Sequence, residues 1–159
     1  VREHVLAPAA AEGIGYVLPG WENDDLAVGY RGEDRWGTPL DKAWAEDGPG
    51  WNLRGNGGML GTAEQMARWY EGLFDGRILG PEALEAFYTL DAGESASVGG
   101  RALGHAGGNG IFNTLQVSWI DHDVHMTLFT STSRPLNAET VWEDIRDDVV
   151  TLARLTADG

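Results

Sequence analysis

The sequence predicts an α+β fold in which helices pack on an antiparallel hairpin. Two segments, residues 62–75 and 137–152, repeat apolar side chains at helical spacing. Between them, residues 111–128 alternate apolar and polar side chains around a central turn, which is the pattern of a half-buried hairpin. With a short helix after Pro81, the predicted order is helix, helix, strand, strand, helix.

Capping residues set the bounds of the first two helices. Thr62 begins a capping-box pattern in which Gln65 is expected to reach back to the cap. Asp75 and Gly76 are expected to close this helix, because glycine favours the residue after a helix end. Pro81 suits the first turn of a second helix, predicted to run through residue 88.

The hairpin and the closing helix follow from residue patterns further along the chain. The first strand alternates its side chains at Ile111, Thr114, Leu115, Gln116, Val117, Ser118 and Trp119. Residues 121–123 turn the chain, and the second strand continues through Val124, Met126 and Leu128. Asn137 is predicted to cap the closing helix, whose apolar face carries Val141, Trp142, Ile145, Val149 and Leu152.

Aromatic side chains are spread over a long glycine-rich stretch near the beginning of the chain. Residues 8–58 contain several turn signals and are interpreted as a structured excursion. The expected anchors of this excursion are Trp21, Tyr30, Trp36, Trp44 and Trp51. Residues 91–104 are rich in glycine and serine and carry little pattern.

Composition bounds the class of protein. A chain of 159 residues with 42% hydrophobic residues is expected to form a single domain. The formal net charge of −14, with Lys42 as the single lysine, argues against nucleic acid and anionic membrane surfaces as partners. No apolar run approaches the roughly 20 residues of a membrane span. The lack of cysteine excludes disulfides and thiolate chemistry, but it does not discriminate between compartments.

The strongest local signal is the glycine cluster in residues 103–110, with the sequence LGHAGGNG. His105 stands directly before Ala106 and Gly107, ahead of the run with strand character. Closely spaced glycines let a backbone approach a ligand, and a nearby imidazole can exchange a proton near neutral pH. The 159 residues contain no Ser-x-x-Lys, no Gly-x-Ser-x-Gly and no cysteine, so no recognisable nucleophile motif accompanies this cluster.

Three motifs, in this order, resemble those of serine beta-lactamase-related and penicillin-binding-protein-like enzymes. Residues 51–69, WNLRGNGGMLGTAEQMARW, are similar to a Gly-Gly-hydrophobic turn that leads into a capped helix. Residues 76–79, GRIL, resemble a Gly-x-Ile-Leu run before the next helix. Residues 105–109, HAGGN, resemble the His-x-Gly box that replaces Lys-Thr-Gly in many class C-like esterases and peptidases. The resemblance covers nearly the whole chain.

The resemblance implies a fold and a chemistry. It implies an antiparallel sheet between helices, and acyl transfer to a serine followed by hydrolysis of a small ester, amide or lactam, without metal or cofactor. By position, His105 and Gly108 would be catalytic, with the Gly108 backbone N–H in the oxyanion hole. Gly107 and Asn109 would bind substrate. A side chain at Gly108 is expected to crowd the acyl group.

The resemblance also implies that part of the catalytic machinery lies outside these residues. Residues 1–159 would be a single partial domain, the C-terminal portion of such a hydrolase, with the Ser-x-x-Lys and Tyr-x-Asn motifs before Val1. The helical character of Val1 to Leu6 agrees with this expectation. An aromatic strand typical of the family is missing between Tyr88 and Leu103. An incomplete sheet would favour self-association.

Two alternatives to a hydrolase stay open at this stage. The first is a non-catalytic binding or interaction module on the same fold. The second is a carbohydrate-binding module that uses exposed tryptophans. A metal site at His122 and His125 with Asp121 and Asp123 is disfavoured against a solvated hairpin turn, because three ligands seldom converge from one turn, so no metal ligand is assigned.

Overall fold

The computed structural model describes residues 1–15, 22–41, 57–94, 99–132 and 138–157. Three α-helices lie in these ranges: α1 (Ala63–Phe74), α2 (Pro81–Asp91) and α3 (Ala138–Ala157). Strands β1 (Gly29–Arg31) and β2 (Asp34–Gly37) form a two-stranded sheet. Strands β3 (Gly93–Glu94), β4 (Arg101–Gly108), β5 (Asn113–Trp119) and β6 (Val124–Thr130) form a four-stranded sheet in that spatial order. The class is mixed helix and antiparallel sheet, as predicted.

The four-stranded sheet lies between helices. Trp119 and Val117 of β5 and Met126 of β6 pack with Trp142 and Val150 on α3. Side chains alternate between the faces of a strand, so His125 of β6 lies on the opposite face. There its ring stacks on Phe74 of α1. Helices α1 and α3 therefore cover opposite faces of the sheet.

The N-terminus of α1 confirms Thr62 as the N-cap but corrects the predicted return contact of the Gln65 side chain. The Gln65 backbone N–H donates to Thr62 Oγ1 at 3.1 Å, so Thr62 is the N-cap. The Gln65 side chain does not return to the cap, because its Oε1 accepts a hydrogen bond from the Gly13 backbone N–H at 3.0 Å. A long-range contact thus replaces the local one and ties the first residues of the chain to α1. The helix ends at Phe74, and Gly76 follows with a φ of +75°.

The other helices differ from prediction in their extent. Helix α2 has Pro81 in its first turn, as predicted, but runs three residues beyond Tyr88 to Asp91. On α3, Val150 is buried whereas Leu152 is 63% exposed, so Leu152 does not belong to the buried face. The expected cap Asn137 lies outside the described residues. Val1 is followed by a single π-type helical turn, Arg2–Leu6.

The strands exceed the predicted hairpin. Strands β5 and β6 form that hairpin and enclose a short helical turn, Ile120–His122, followed by Asp123 with a φ of +54°. Ile111 precedes β5, and its side chain is buried in the turn. Residues 103–108 of the glycine cluster are themselves part of strand β4, where the sequence suggested that the cluster came before a strand. In place of the missing aromatic strand, β3 contributes two residues that pair with Ala102 and Arg101.

The early excursion contains the β1–β2 hairpin, which joins the end of β6. Tyr30 donates its backbone N–H to the Ser131 carbonyl at 2.8 Å. Of the expected anchors, Trp36 packs edge-on against Phe112, with 5.7 Å between ring centroids. Tyr30 is 41% exposed. Trp21, Trp44 and Trp51 lie outside the described residues. Within the described ranges, no helix is long and apolar enough to cross a bilayer.

Candidate functional site

Strand β4 presents an open edge along most of its length. Its first two residues, Arg101 and Ala102, pair with β3, and the whole strand pairs with β5 on its other side. Residues 103–108 have no strand on the outer side among the described residues. Leu103 is buried, whereas residues 104–110 are exposed. The backbone of the glycine cluster is therefore accessible from the edge of the sheet.

The direction of the Gly108 amide follows from the turn that ends β4. The Asn109 backbone N–H donates to the Phe112 carbonyl at 3.1 Å, which makes these two residues a hydrogen-bonded pair. Bonded and non-bonded pairs alternate along an antiparallel ladder. The next pair, Gly108 with Asn113, is therefore non-bonded, and the Gly108 N–H points away from β5 toward the open edge. The same alternation points the Ala106 N–H outward and the Gly107 N–H inward.

His105 lies three residues before Gly108. Its own N–H points toward β5, so its side chain is the donor or acceptor that it can offer at the open edge. It pairs with Gln116 of β5, which in turn pairs with Thr127 of β6. Alternation places these three side chains on the sheet face that α1 covers. The His105 side chain is exposed, whereas Gln116 is 8% exposed. The edge of the sheet thus offers an imidazole on one face and an outward amide further along the same strand.

Gly107 and Gly108 differ in the space available for an added side chain. A β-carbon added at Gly107 would lie 3.4 Å from Thr114 Oγ1, an ordinary contact. A β-carbon added at Gly108 would overlap the side-chain oxygen of Asn113 on β5. The Asn113 side chain is held in place, since its amide donates to the carbonyls of Ile111 at 3.1 Å and Thr132 at 3.4 Å. A side chain at position 108 would therefore first meet the neighbouring strand, contrary to the expectation that it would crowd an acyl group.

Asn109 shapes the turn that follows Gly108. Its side-chain oxygen accepts hydrogen bonds from the backbone N–H groups of Ile111 at 3.0 Å and Phe112 at 2.9 Å. Both bonds close the 109–112 turn, as in other Asx turns. Of the Asn109 side chain, the amide NH₂ is the part that can reach a substrate. The substrate-binding role of Asn109 stays a prediction that now depends on this NH₂ group alone.

The β1–β2 hairpin forms a wall beside this turn. A β-carbon at Gly29 would come within 3.0 Å of the Phe112 ring and 3.2 Å of Trp36, so a side chain there would require these rings to shift. Ile111 packs against the same position. The sequence pattern did not reveal this contact between residues 29–36 and 111–112, because it joins segments more than 70 residues apart.

The other end of β4 is fixed by a cluster around Arg101. Its guanidinium donates to Asp121 Oδ1 at 2.8 and 3.0 Å, and its backbone N–H donates to Asp121 Oδ2 at 2.7 Å. The same side chain lies 3.4 Å from Glu85 and 5.0 Å above the Tyr88 ring, which joins α2 to the sheet. The hydrogen bonds from the Arg101 side chain, then its backbone, hold the pKa of Asp121 below its ordinary value.

The histidines near the β5–β6 turn have separate surroundings. His122 Nε2 lies 3.0 Å from the Gly99 carbonyl, on the side of the turn where Asp121 binds Arg101. His125 stacks on Phe74 with 4.6 Å between ring centroids. Its Nε2 lies 3.5 Å from an oxygen of Asp123. Among the described residues, no three histidine or carboxylate side chains converge as metal ligands.

Comparison of the chain with protein-family models, with curated proteins and with solved structures finds no match.

Proposed function

We propose that this chain is part of a serine hydrolase related to beta-lactamases and penicillin-binding proteins, in which β4 provides the oxyanion edge of the acyl site. The observation that carries the proposal is the outward N–H of Gly108 on an open strand edge, with His105 exposed on the same strand. An antiparallel sheet between helices and the order of the three resembling motifs support it further.

In this proposal the reaction is acyl transfer. A serine hydroxyl oxygen attacks the carbonyl carbon of a small ester, amide or lactam while a base takes the hydroxyl proton. Negative charge develops on the carbonyl oxygen, and the Gly108 N–H donates a hydrogen bond to it. Collapse of the tetrahedral intermediate expels the alcohol or amine, which takes up a proton. Water then attacks the acyl-serine, and the acid leaves.

His105 acts on the substrate side of this scheme as an orienting or polarising group. Its imidazole is exposed and free to meet a ligand at the open edge. The serine and its base come from residues outside these 159, because Lys42 is the only lysine and no serine lies three residues before it. Ser118, one of the chain's five serines, is 1% exposed within β5, so its hydroxyl is not accessible to a substrate.

A non-catalytic binding module is the second candidate, and one observation favours it. The open edge of β4 can accept an extended peptide as an added strand without any nucleophile. The carbohydrate-binding alternative has less support. Each of the four described tryptophans, Trp36, Trp69, Trp119 and Trp142, is at least partly buried and none offers a fully exposed ring.

The experiment that separates hydrolase from binding module begins with the gene upstream of Val1. A Ser-x-x-Lys motif there, labelled at its serine by a fluorophosphonate probe in the longer protein, supports the hydrolase. A longer protein without that motif, and without a labelled serine, supports the binding module. The 159-residue chain alone should give only background turnover of nitrocefin and p-nitrophenyl esters. Enzyme-dependent turnover that survives further purification would show that it needs no external serine.

A further inference from the structure

The turn between β4 and β5 contains an Asn-Gly pair whose side-chain carbonyl is polarised by backbone donors. Asn109 and Gly110 are both exposed. The N–H groups of Ile111 at 3.0 Å and Phe112 at 2.9 Å donate to the same atom, Asn109 Oδ1. Two donors on one carbonyl oxygen draw electron density from the carbon that carries it, Cγ, and stabilise negative charge on the oxygen. The turn therefore makes Asn109 Cγ a better target for a nucleophile.

A nucleophile and a leaving group lie next to this carbon. The nucleophile is the backbone nitrogen of Gly110, which follows Asn109 directly in the chain. Its N–H donates no hydrogen bond to any described residue. Gly110 has a φ of +85°, and nothing lies within 4 Å of an added β-carbon, so no side chain shields the nitrogen. The leaving group is the exposed Asn109 NH₂, which likewise donates to no other group within the described ranges.

We propose that Asn109 is a self-modification site, at which the chain converts its own asparagine into aspartate and isoaspartate. The Gly110 nitrogen loses its proton to water and bonds to Asn109 Cγ, which closes a succinimide ring. Negative charge develops on Oδ1, where the two N–H donors stabilise it. The bond from Cγ to Nδ2 then breaks, and ammonia leaves with a proton from water. Water opens the ring at the side-chain carbonyl to give isoaspartate's isomer aspartate, or at the backbone carbonyl to give isoaspartate.

The other described asparagines lack this arrangement. The Asn113 amide donates to two backbone carbonyls, and the next residue is Thr114, whose side chain hinders its nitrogen. The Asn23 amide donates to Asp41 at 3.3 Å, and the next residue also carries a side chain. The sequence holds a second Asn-Gly pair at residues 56–57, of which Asn56 lies outside the described residues.

The two products differ in their effect on the turn. Aspartate keeps an oxygen acceptor for both N–H donors, so β4 and β5 keep their register, and it adds a negative charge one residue after Gly108. Isoaspartate routes the backbone through its β-carbon and lengthens the turn. This inference does not depend on the proposed hydrolase function, because the reacting atoms belong to Asn109, Gly110 and water.

Peptide mass spectrometry of the folded 159-residue chain, incubated for days at pH 7.5 and pH 8.5, tests the proposal. Conversion at Asn109 should exceed conversion at Asn23 and Asn113 about tenfold or more. It should be faster at pH 8.5, because the attacking nitrogen must lose a proton. A parallel incubation in urea gives the rate in the unfolded chain. An unconverted Asn109 in the folded chain, or equal conversion at the three asparagines, would overturn the proposal, and conversion in urea alone would show that the turn protects Asn109.

One variant with a matched control tests the role of the Gly110 nitrogen. Gly110→Asn adds a side chain in open space, and asparagine tolerates a positive φ, so the turn should be kept. The added side chain should slow conversion at Asn109 about tenfold. Gly32→Asn makes the same change at a φ of +63°, also in open space, and should leave the Asn109 rate unchanged. With both variants folded by circular dichroism, equal Asn109 rates would contradict attack by the Gly110 nitrogen and would overturn the site.

Discussion

The ring of His125 stacks on the ring of Phe74, with 4.6 Å between centroids and an angle of 11° between planes. The contact joins β6 to α1 across one face of the sheet. Burial lowers the pKa of His125 below its ordinary value of 6.5, against the opposing effects of Asp123, Glu71 and Asp75. The unfolded chain therefore binds a proton at His125 more readily than the folded chain does.

This pKa shift predicts how stability depends on pH. Because the folded-state pKa is lowered, the stabilisation is present above the unfolded pKa of about 6.5 and is lost as the pH falls through the folded value. The Tm should therefore decrease as the pH is lowered from 7.5 to 5.5. In His125→Phe the decrease should be smaller, and in the exposed control His4→Asn it should match the parent protein. Identical slopes in all three proteins would contradict a buried neutral His125.

Close packing between α1 and the first residues of the chain gives a second prediction. A β-carbon at Gly72 would lie 2.6 Å from Ala9 Cβ and 2.9 Å from Ala9 Cα, which is backbone that cannot easily move. Gly72→Ala should lower the free energy of unfolding by about 1–3 kcal/mol through overpacking. Gly80→Ala is the control for added volume alone, since nothing lies within 4 Å of its added methyl; because Gly80 is the N-cap of α2, only a smaller loss from weaker capping is expected there. Urea denaturation of the two variants measures the difference; equal values would show that the Ala9–Gly72 contact is not tight.

The open edge of β4 predicts self-association. Residues 103–108 carry no acidic, lysine or arginine side chain and no proline, so the edge lacks the common features that prevent strand pairing between molecules. Light scattering of the 159-residue chain should show an average mass that rises with concentration. Ala106→Lys should reduce this rise, whereas Ala83→Lys, the same charge change on exposed α2, should not. A monodisperse monomer at all concentrations would contradict the prediction.

The sequence located the elements that depend on local signals. Thr62, Gly76 and Pro81 mark helix ends by capping chemistry, and the 121–123 turn separates two clearly alternating strands. Strand β4 carries no such signal, because glycine and alanine show no polar alternation. Its assignment depends on pairing with β5, which is a tertiary contact.

The candidate site likewise has features that the sequence predicts and features that depend on tertiary contacts. A glycine cluster around His105 is visible in the sequence, and its role stays a prediction. Which amide points outward, and which way a side chain at Gly108 would point, depend on the register between β4 and β5. Residue types alone do not specify that register. The contact of Asn113 with position 108 could therefore not be predicted.

The proposed role of the Gly108 N–H is to stabilise an oxyanion, and deletion of that N–H tests this role most directly. In the longer, serine-containing protein that the proposed function requires, Gly108→Pro removes the outward N–H, in an Asn113→Ala background that relieves the overlap of the new side chain with Asn113. Ala106→Pro in the same background is the matched control, because it removes another of the outward N–H groups on the same edge. Circular dichroism checks that each variant is folded. Gly108→Pro should lower kcat for acyl substrates about 10²–10³-fold, and Ala106→Pro should lower it far less. Equal kcat values for the two folded proline variants would contradict the oxyanion role of Gly108.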